Sequence, residues 1–562
     1  MKVFEKYGFL KSLVTGRLKK ELLFPYPVDN ELENEIMNVF LDSLKKFASG
    51  EIDGEKIDHD AKIPQDVIDG LKNLGVFGMT IPEQYGGSGL SQTAYNHAME
   101  IIASYCASTA TFIGAHQSIG MKAILLFGTE EQKNKFLPQL ATGEKIACFA
   151  LTEPSAGCDV HNIQTKAVLT EDGNYYILNG SKHFITNGSI ADVFTIFAKT
   201  EVIDKGEKKN KITAFIVTKD MPGITIGKDE DKMGIKGSVT TAFNLDNVKI
   251  PKENVLGEPG EGFHIAMMIL NYGRLGLGAG CLGVAKKLIK LSSKYATERE
   301  QFGQPIKNFE MIKDKISQMS VKTYAMESLL DVTAKTADKY PAMDFSLESA
   351  TCKVFSAEAL WSIVNHSMQI AGGYGYIKEY PYERFLRDAR INIIFEGTSE
   401  ILRLFIALEG AREIGKELKH GGILKYILKK IRNIFVTEEL DGVDFILKKE
   451  TLNIAKFTKL FQNKFEGIVM KYKKELIHKE FVQQKIADII INLYAAYCTI
   501  ARTQHIILKK TVAESQVEIN ICKVFCNDAF NIISDNLKNL DINDDKRKVL
   551  ISDAIVDQKY KF

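Results

Sequence analysis

The sequence predicts an α+β fold, mostly α, with helical segments on either side of one small β-domain. Three observations predict it. Apolar residues recur at helical spacing through the first third of the chain and again after Gly262. Between these blocks, short β-rich runs are punctuated by Asp172-Gly173, Asn179-Gly180 and Asn187-Gly188, dipeptides that supply the positive φ of tight hairpins. The two textures are segregated, which argues against an alternating parallel sheet.

In chain order, Leu32, Ile36, Val39, Phe40 and Leu44 mark a first amphipathic helix. Val67, Ile68, Leu71 and Leu74 mark another, and Gly75 follows as a stop signal. Gly86-Gly87-Ser88-Gly89 marks a loop, and helical pattern resumes from Tyr95 to about Leu126 and from Glu130 to Leu140. Strands are expected at Tyr175–Leu178, Val193–Ala198, Ile212–Val217 and Thr240–Leu245. Long helices are expected at Phe263–Thr297, Phe309–Tyr340 and Ser346–Ala371, followed by the break Gly372-Gly373-Tyr374-Gly375. A Lys-rich helical tail closes the chain. The expected division is 1–147, an N-terminal segment and helical domain; 148–257, a middle β-domain; 258–412, a helical bundle; and 413–562, a helical extension.

The chain has 562 residues, 45% hydrophobic and 26% charged, a balance that excludes extended disorder. With 73 basic and 71 acidic residues the net charge is +2, so composition excludes a strongly basic nucleic-acid binder. The eight cysteines are scattered without a CxxC, and histidines do not fall at zinc spacing; free thiols and no metal centre are expected. No run approaches the roughly 18 apolar residues of a membrane span. The first twenty residues lack a signal-peptide apolar core, and no clear targeting peptide is read there.

Gly278, Gly280 and Gly283 form a literal GxGxxG. It sits within a helical stretch with no strand before it, so the expectation is close helix packing, not a dinucleotide site. His116, His161, His183 and His264 are isolated and read as structural. No GxSxG or GxxxxGK[ST] occurs, which lowers hydrolase and P-loop readings. One acid has an unusual setting. Glu396 follows Ile393-Ile394-Phe395, so its carboxylate is expected to be desolvated and its pKa raised into the range of a general base. Gly397 removes bulk beside it, so a ligand could approach the backbone.

Several strings, in order, resemble the acyl-CoA dehydrogenase family. They are Leu151-Thr152-Glu153-Pro154 through Gly157-Cys158-Asp159, Asn179–Lys182 with Phe184–Gly188, Asn271–Arg274, Arg299–Gly303, Gln369–Gly373 and Phe395–Ile401. The resemblance is closest to the very-long-chain branch, through Phe24-Pro25-Tyr26-Pro27, Gly114–Gly120 and the C-terminal extension. It implies N-terminal helices, a middle β-domain and a C-terminal four-helix bundle, with FAD between sheet and bundle and part of its site from a second subunit. The implied reaction takes an acyl-CoA to the trans-2-enoyl-CoA in fatty acid β-oxidation, with Glu396 as the catalytic base and hydride transfer to the flavin. One branch of the family carries its base on the helix that holds Asn271–Arg274; here that position is Gly273, which cannot titrate.

The resemblance also implies roles residue by residue. Phe149, Leu151, Thr152 and Cys158 would line the flavin, with Phe184 and Thr186 packing on and bonding to it. Arg299 and Phe302 would reach the partner subunit's FAD, and Gln369, Gly372 and Gly373 its adenosine side. Thr398 and Glu400 would contact the cofactor too. Cys158, Asn271, Arg274 and Gly397 would bind substrate, although Cys158 stands where many relatives carry the better donor Ser. Small residues Ala103, Ala107 and Ser108 would leave room for a long acyl tail. The implied electron acceptor is an electron-transfer flavoprotein, and the implied assembly is a homodimer. An acyl-CoA oxidase passing electrons to O₂, and a non-catalytic scaffold on the same fold, are the alternatives.

Residues 421–435 are basic and amphipathic: Ile423, Ile427, Ile431 and Ile434 share one helical face, and Lys425, Lys429 and Arg432 another. This suits a helix lying at a headgroup surface, so the expected location is peripheral to a membrane, on its cytoplasmic or organellar matrix side. Sedimentation with anionic liposomes should show salt-sensitive binding that drops in the Lys429→Glu/Arg432→Glu double variant. Equal binding by that variant would remove the idea.

Overall fold

The computed structural model describes residues 6–560 apart from 30, 436–439, 441, 541 and 542, and for 420–435 the helical backbone alone. The first block is helical: α1 (Phe9–Val14), α2 (Glu31–Glu51), α3 (Gly54–Asp60), α4 (Gln65–Asn73), α5 (Gln92–Tyr105), α6 (Ala107–Gly114), α7 (Lys122–Phe127) and α8 (Glu130–Ala141). The strands follow: β1 (Ala147–Ala150), β2 (Lys166–Leu169), β3 (Tyr175–Thr186), β4 (Val193–Asp204), β5 (Glu207–Thr218), β6 (Ile224–Asp229), β7 (Thr240–Pro251) and β8 (Val255–Leu256). The second helical block opens with α9 (Gly262–Glu298) and a short hairpin, β9 (Glu300–Gln301) and β10 (Gln304–Pro305). It continues with α10 (Glu310–Lys339), α11 (Ser346–Ala371), α12 (Gly373–Tyr376), α13 (Tyr382–Arg390) and α14 (Ser399–Phe435). The chain ends in α15 (Lys448–Tyr472), α16 (Glu480–Lys509), α17 (Gln516–Asn539) and α18 (Asp545–Val556). The expected α+β order is therefore the observed one. Helix α14 runs unbroken through residue 412, and the amphipathic face read at 421–435 falls on side chains outside those described.

Sheet order is β6-β7-β3-β2-β4-β5-β8, with β1 parallel to β4. The strand cores are those expected from sequence, but four strands run further. The β4–β5 pairing continues from Val193↔Thr218 out to Asp204↔Glu207, where the exposed, charged ends read as loop by pattern alone. Asn179-Gly180 is not a turn. It lies inside β3 at a register shift against β7, and a Cβ on Gly180 would stand 2.4 Å from Thr165 Oγ1. The single helix expected from Tyr95 to Leu126 is broken three ways. Cys106 is extended (φ −152°), α6 follows, and a π-helical turn spans Ala115–Gly120 before α7.

The GxGxxG string lies within α9 and packs helices, as expected: a Cβ on Gly283 would stand 1.9 Å from the Glu100 carbonyl oxygen of α5. Helix α9 is apolar over much of its length because it is the buried centre of the bundle. His116 is structural. Its Nε2 lies 3.0 Å from Leu140 O, its Nδ1 accepts from Ala147 N at 2.9 Å, and burial pushes its pKa down to about 4. All eight cysteines are free, and among the described residues no cluster of metal-ligating side chains occurs.

Specific bonds tie the sheet to the helices. Asn187 donates to Phe112 O at 3.0 Å, Thr195 to Gly120 O at 2.9 Å, and Gly237 N to Ser108 Oγ at 3.2 Å. Within the sheet a buried ion pair fixes the loop after β1. Lys182 Nζ contacts Glu153 Oε1 at 2.8 Å and donates to Leu151 O and Phe197 O, while the Glu153 carboxylate accepts from Gln164 N and Thr165 N. Burial pulls the Lys182 pKa down to about 8, against the pull of Glu153. Removing one partner strands the other charge. Glu153→Gln is expected to lower stability by roughly 3–5 kcal/mol in urea unfolding, with part recovered in Glu153→Gln/Lys182→Met.

Candidate active site

A cleft holding about 700 Å³ of empty space, partly open to solvent, lies between α5, α6, the π turn and α9. At one end stand Glu396 and Ile119, both against Gly273, with Phe395 beside Glu396 in the chain; Thr186, the last residue of β3, also lines the cleft. The wall along α9 is Gly273, Gly276, Leu277, Gly280, Cys281 and Val284, one continuous face at helical spacing. From Gly273 to Val284 that helix rises roughly 16 Å. Opposite lie Tyr95, Met99, Ala103 and Ala107. Ser108, grouped with these alanines from sequence, is not in the lining; it is buried and its hydroxyl is taken by Gly237 N.

Glu396 sits on the loop between a 3₁₀ turn at Ile391–Ile393 and α14. Its backbone is left-handed (φ 57°), as is that of Gly397 (φ 91°). For a residue with a Cβ this conformation costs about 1–2 kcal/mol. Two buried cations hold it. Arg274 Nε of α9 donates to Glu396 O at 3.4 Å, and Lys353 Nζ of α11 donates to Gly397 O at 2.7 Å. Thr398 Oγ1 then accepts from Ile401 N at 3.3 Å and starts α14. The Glu396 Oε2 atom is buried without a hydrogen-bond partner among the described residues. Its nearest framing is Gly273, where a Cβ would stand 3.1 Å from Oε2 and 2.9 Å from Ile119 Cγ2.

Electrostatics follow from burial of the site's charged groups. Burial raises the Glu396 pKa above its ordinary value, although Arg274 and Lys353 both pull it down. Burial lowers Arg274 to about 10 and Lys353 to about 8. The carboxyl therefore picks up its proton at a higher pH than a solvated glutamate, as the apolar run before it led us to expect.

The other residues singled out in the sequence fall into three places. Phe149, Leu151 and Thr152 lie on β1 and the loop after it. Phe149 packs on Phe197 with ring centres 4.9 Å apart, and Thr152 O accepts from His183 N at 3.0 Å. Phe184 is 61% exposed with positive φ, and Cys158, on the loop after β1, is exposed. Arg299, Phe302, Gln369, Gly372 and Gly373 do not line the cleft; all are exposed, and Phe302 is 94% so. Two of their strings meet, since Arg299 lies 5.9 Å from the ring centre of Tyr374. Glu400 is exposed. Asn271 and Arg274 are buried against each other at 3.2 Å and do not line the cleft. Lys353 was not singled out by sequence reasoning. The signal was there, a charge at a core position of α11 between Ala350, Val354 and Ala357.

The two glycines of the α9 wall make a paired test. Gly273→Ala is expected to destabilise by about 1–3 kcal/mol through overpacking. Gly280→Ala, whose Cβ meets only Ala103 at 3.5 Å, is expected to be neutral or stabilising by up to about 1 kcal/mol, both read by thermal denaturation.

Known proteins share this architecture. Models of the acyl-CoA dehydrogenase N-terminal, middle and C-terminal domains match residues 35–144, 148–248 and 260–410, and the ACAD9/ACADV C-terminal domain matches 446–560. The mitochondrial very long-chain specific acyl-CoA dehydrogenase of Rattus norvegicus is 39% identical, over 98% of this chain and 88% of that one. Its Homo sapiens counterpart is 40% identical, over 93% and 83%. Among solved structures, the acyl-CoA dehydrogenase of Bacillus anthracis complexed with FAD superposes with a TM-score of 0.82 at 34% identity, covering 97% of this chain and 94% of that one. Butyryl-CoA dehydrogenase of Megasphaera elsdenii (TM-score 0.64, 39% identity) covers 68% of this chain and 99% of its own. A chain from the structural study of the electron transferring flavoprotein of Acidaminococcus fermentans does so at TM-score 0.62 and 38% identity, covering 67% and 97%. With four domain models matched in order and relatives near 40% identity along nearly its whole length, the chain belongs to the acyl-CoA dehydrogenase family.

Proposed function

We propose that the cleft dehydrogenates the acyl chain of a long- or very-long-chain acyl-CoA, with Glu396 removing the α-proton. The chain is an acyl-CoA dehydrogenase, a flavoprotein oxidoreductase acting on a CH–CH bond. The observation that carries the assignment of the base is the Glu396 Oε2 atom, buried and unpartnered at the end of an apolar cleft. A partly desolvated carboxylate is a stronger base than a solvated one, and its Oε2 stays available because no side chain among the described residues occupies it. The Glu396 N–H has no hydrogen-bond partner among the described residues, so it can donate to the thioester oxygen as enolate character develops.

The residues present fit FAD. Thr186 lines the cleft, and Phe184 offers an exposed aromatic face two residues before it. The Phe149–Thr152 loop is fixed by Lys182. When bound there, FAD supplies the acceptor for the hydride leaving the β-carbon. Phe149, Leu151, Thr152, Cys158, Phe184, Thr186, Thr398 and Glu400 would hold it on one subunit. Arg299, Phe302, Gln369, Gly372 and Gly373 form an exposed end of the bundle and would complete the site of a second copy, which makes a homodimer the assembly. Asn271, Arg274, Cys158 and Gly397 would serve the substrate, Asn271 and Arg274 from behind the Glu396 loop. The reach along α9 to Val284, floored by glycine and alanine, supports a long acyl chain. An electron-transfer flavoprotein is the acceptor. The division at 147, 257 and 412, and peripheral membrane attachment through 421–435, complete the reading.

The test is anaerobic titration with palmitoyl-CoA, read as flavin bleaching. Glu396→Gln should retain FAD and lose bleaching by about 10²–10⁴-fold or more. Bleaching at the native rate would overturn Glu396 as the base, and rapid oxygen consumption by the native protein would favour an oxidase.

A further inference from the structure

Lys353 lies in the core of the bundle with no exposed surface. Among the described residues it forms no ion pair, unlike the buried Lys182, which is matched by Glu153. Its Nζ instead donates to the carbonyl of Gly397, at 2.7 Å. The charged and titratable groups facing it are Cys281 and Arg274 from α9, Glu358 from its own helix, and Glu396. A methionine would fill the same volume without the cost of burying an uncompensated ammonium group. What the charge does must therefore be found at the loop it touches. That loop carries two successive left-handed residues, and its two carbonyls are held by the two cations.

We propose that Lys353 is a positioning residue for the proton-abstracting carboxylate. Its ammonium group ties down the Gly397 carbonyl so that Glu396 stays left-handed beside Gly273. Its charge also opposes the burial that would keep the Glu396 carboxyl protonated. The inference rests on the reading of Glu396 as the base. Arg274 acts in parallel from α9, but Arg274 also bonds Asn271, whereas Gly397 is the hydrogen-bond partner of Lys353. Lys353 thus offers the cleaner substitution.

The experiment uses the FAD-loaded protein with Lys353→Met and Lys353→Arg. Anaerobic bleaching by palmitoyl-CoA is followed across pH, with bound FAD and KM measured alongside. Lys353→Met should keep FAD and a near-native KM, while the acid limb of the rate profile moves to higher pH by about one unit, a tenfold shift in the protonation equilibrium. Lys353→Arg should return the limb towards its native position. A second readout needs no turnover. The infrared C=O stretch of the protonated Glu396 carboxyl, identified by its loss in Glu396→Gln, should titrate at higher pH in Lys353→Met. An unmoved limb and band in Lys353→Met would overturn the proposal, as would an equal rate loss in both variants with the limb in place. Should Lys353→Met not accumulate as a flavoprotein, Lys353→Gln is read in the same way. If Glu396→Gln still bleaches, the assignment of the base has failed. If it is inactive while Lys353→Met is unshifted, only the positioning role has.

Discussion

A half-buried carboxylate with one oxygen, Oε2, shut away from solvent is the constraint around which the site is arranged. Burial makes Glu396 more basic, and the same burial would neutralise it if nothing opposed it. The protein's answer is two cations that, among the described residues, form no ion pair with the carboxylate. They grip the backbone on either side, at Glu396 O and Gly397 O, so that their charge is felt while the carboxylate oxygen is left unengaged. A direct salt bridge would hold the carboxyl well below the range useful for taking a proton from carbon. The space for the side chain comes from Gly273, so even the residue beside the carboxylate contributes by what it lacks.

The surrounding architecture serves that arrangement. Helix α9 supplies Arg274 on its buried face and the glycine floor of the cleft on another. Helix α11 supplies Lys353, and the sheet brings Thr186 into the lining of the same cleft. The break at Cys106 and the π turn at Ala115–Gly120 bend what would be one straight helix around the opposite wall. Lateral bonds such as Asn187 to Phe112 O hold sheet and helices in register.

Much of this was legible in the sequence. The order of helical and β-rich blocks follows from two periodicities, and the ends of α11 and α8 were marked within a residue by Ser346, Ala371 and Glu130. The raised pKa of Glu396 has the direction expected from the apolar run before it, although Ile394 of that run is exposed and Glu396 itself is half-buried. What escaped did so for physical reasons. The start of β5, residues 207–210, is exposed on both faces, and the end of β4 beyond Ala198 buries only Thr200 among charged and half-exposed neighbours, so neither shows the apolar alternation that marks a strand. Asn179-Gly180 has turn chemistry, but Thr165 packs against the glycine and keeps it in the strand. The bend at Cys106 is a tertiary decision, invisible to helical spacing. Lys353 belongs to none of the strings that carry the family resemblance, and only the fold brings its ammonium group to the loop 44 residues later.

Seven of the eight thiols are buried, and Cys158 is exposed on the loop that follows Thr152. Alkylation of the native chain is therefore a stoichiometric count of one loop, one adduct per molecule. Loss of tertiary structure would release the remaining seven together. The mass of the modified protein thus separates the folded chain, with one adduct, from the globally melted chain, with eight, without any spectroscopic label being introduced.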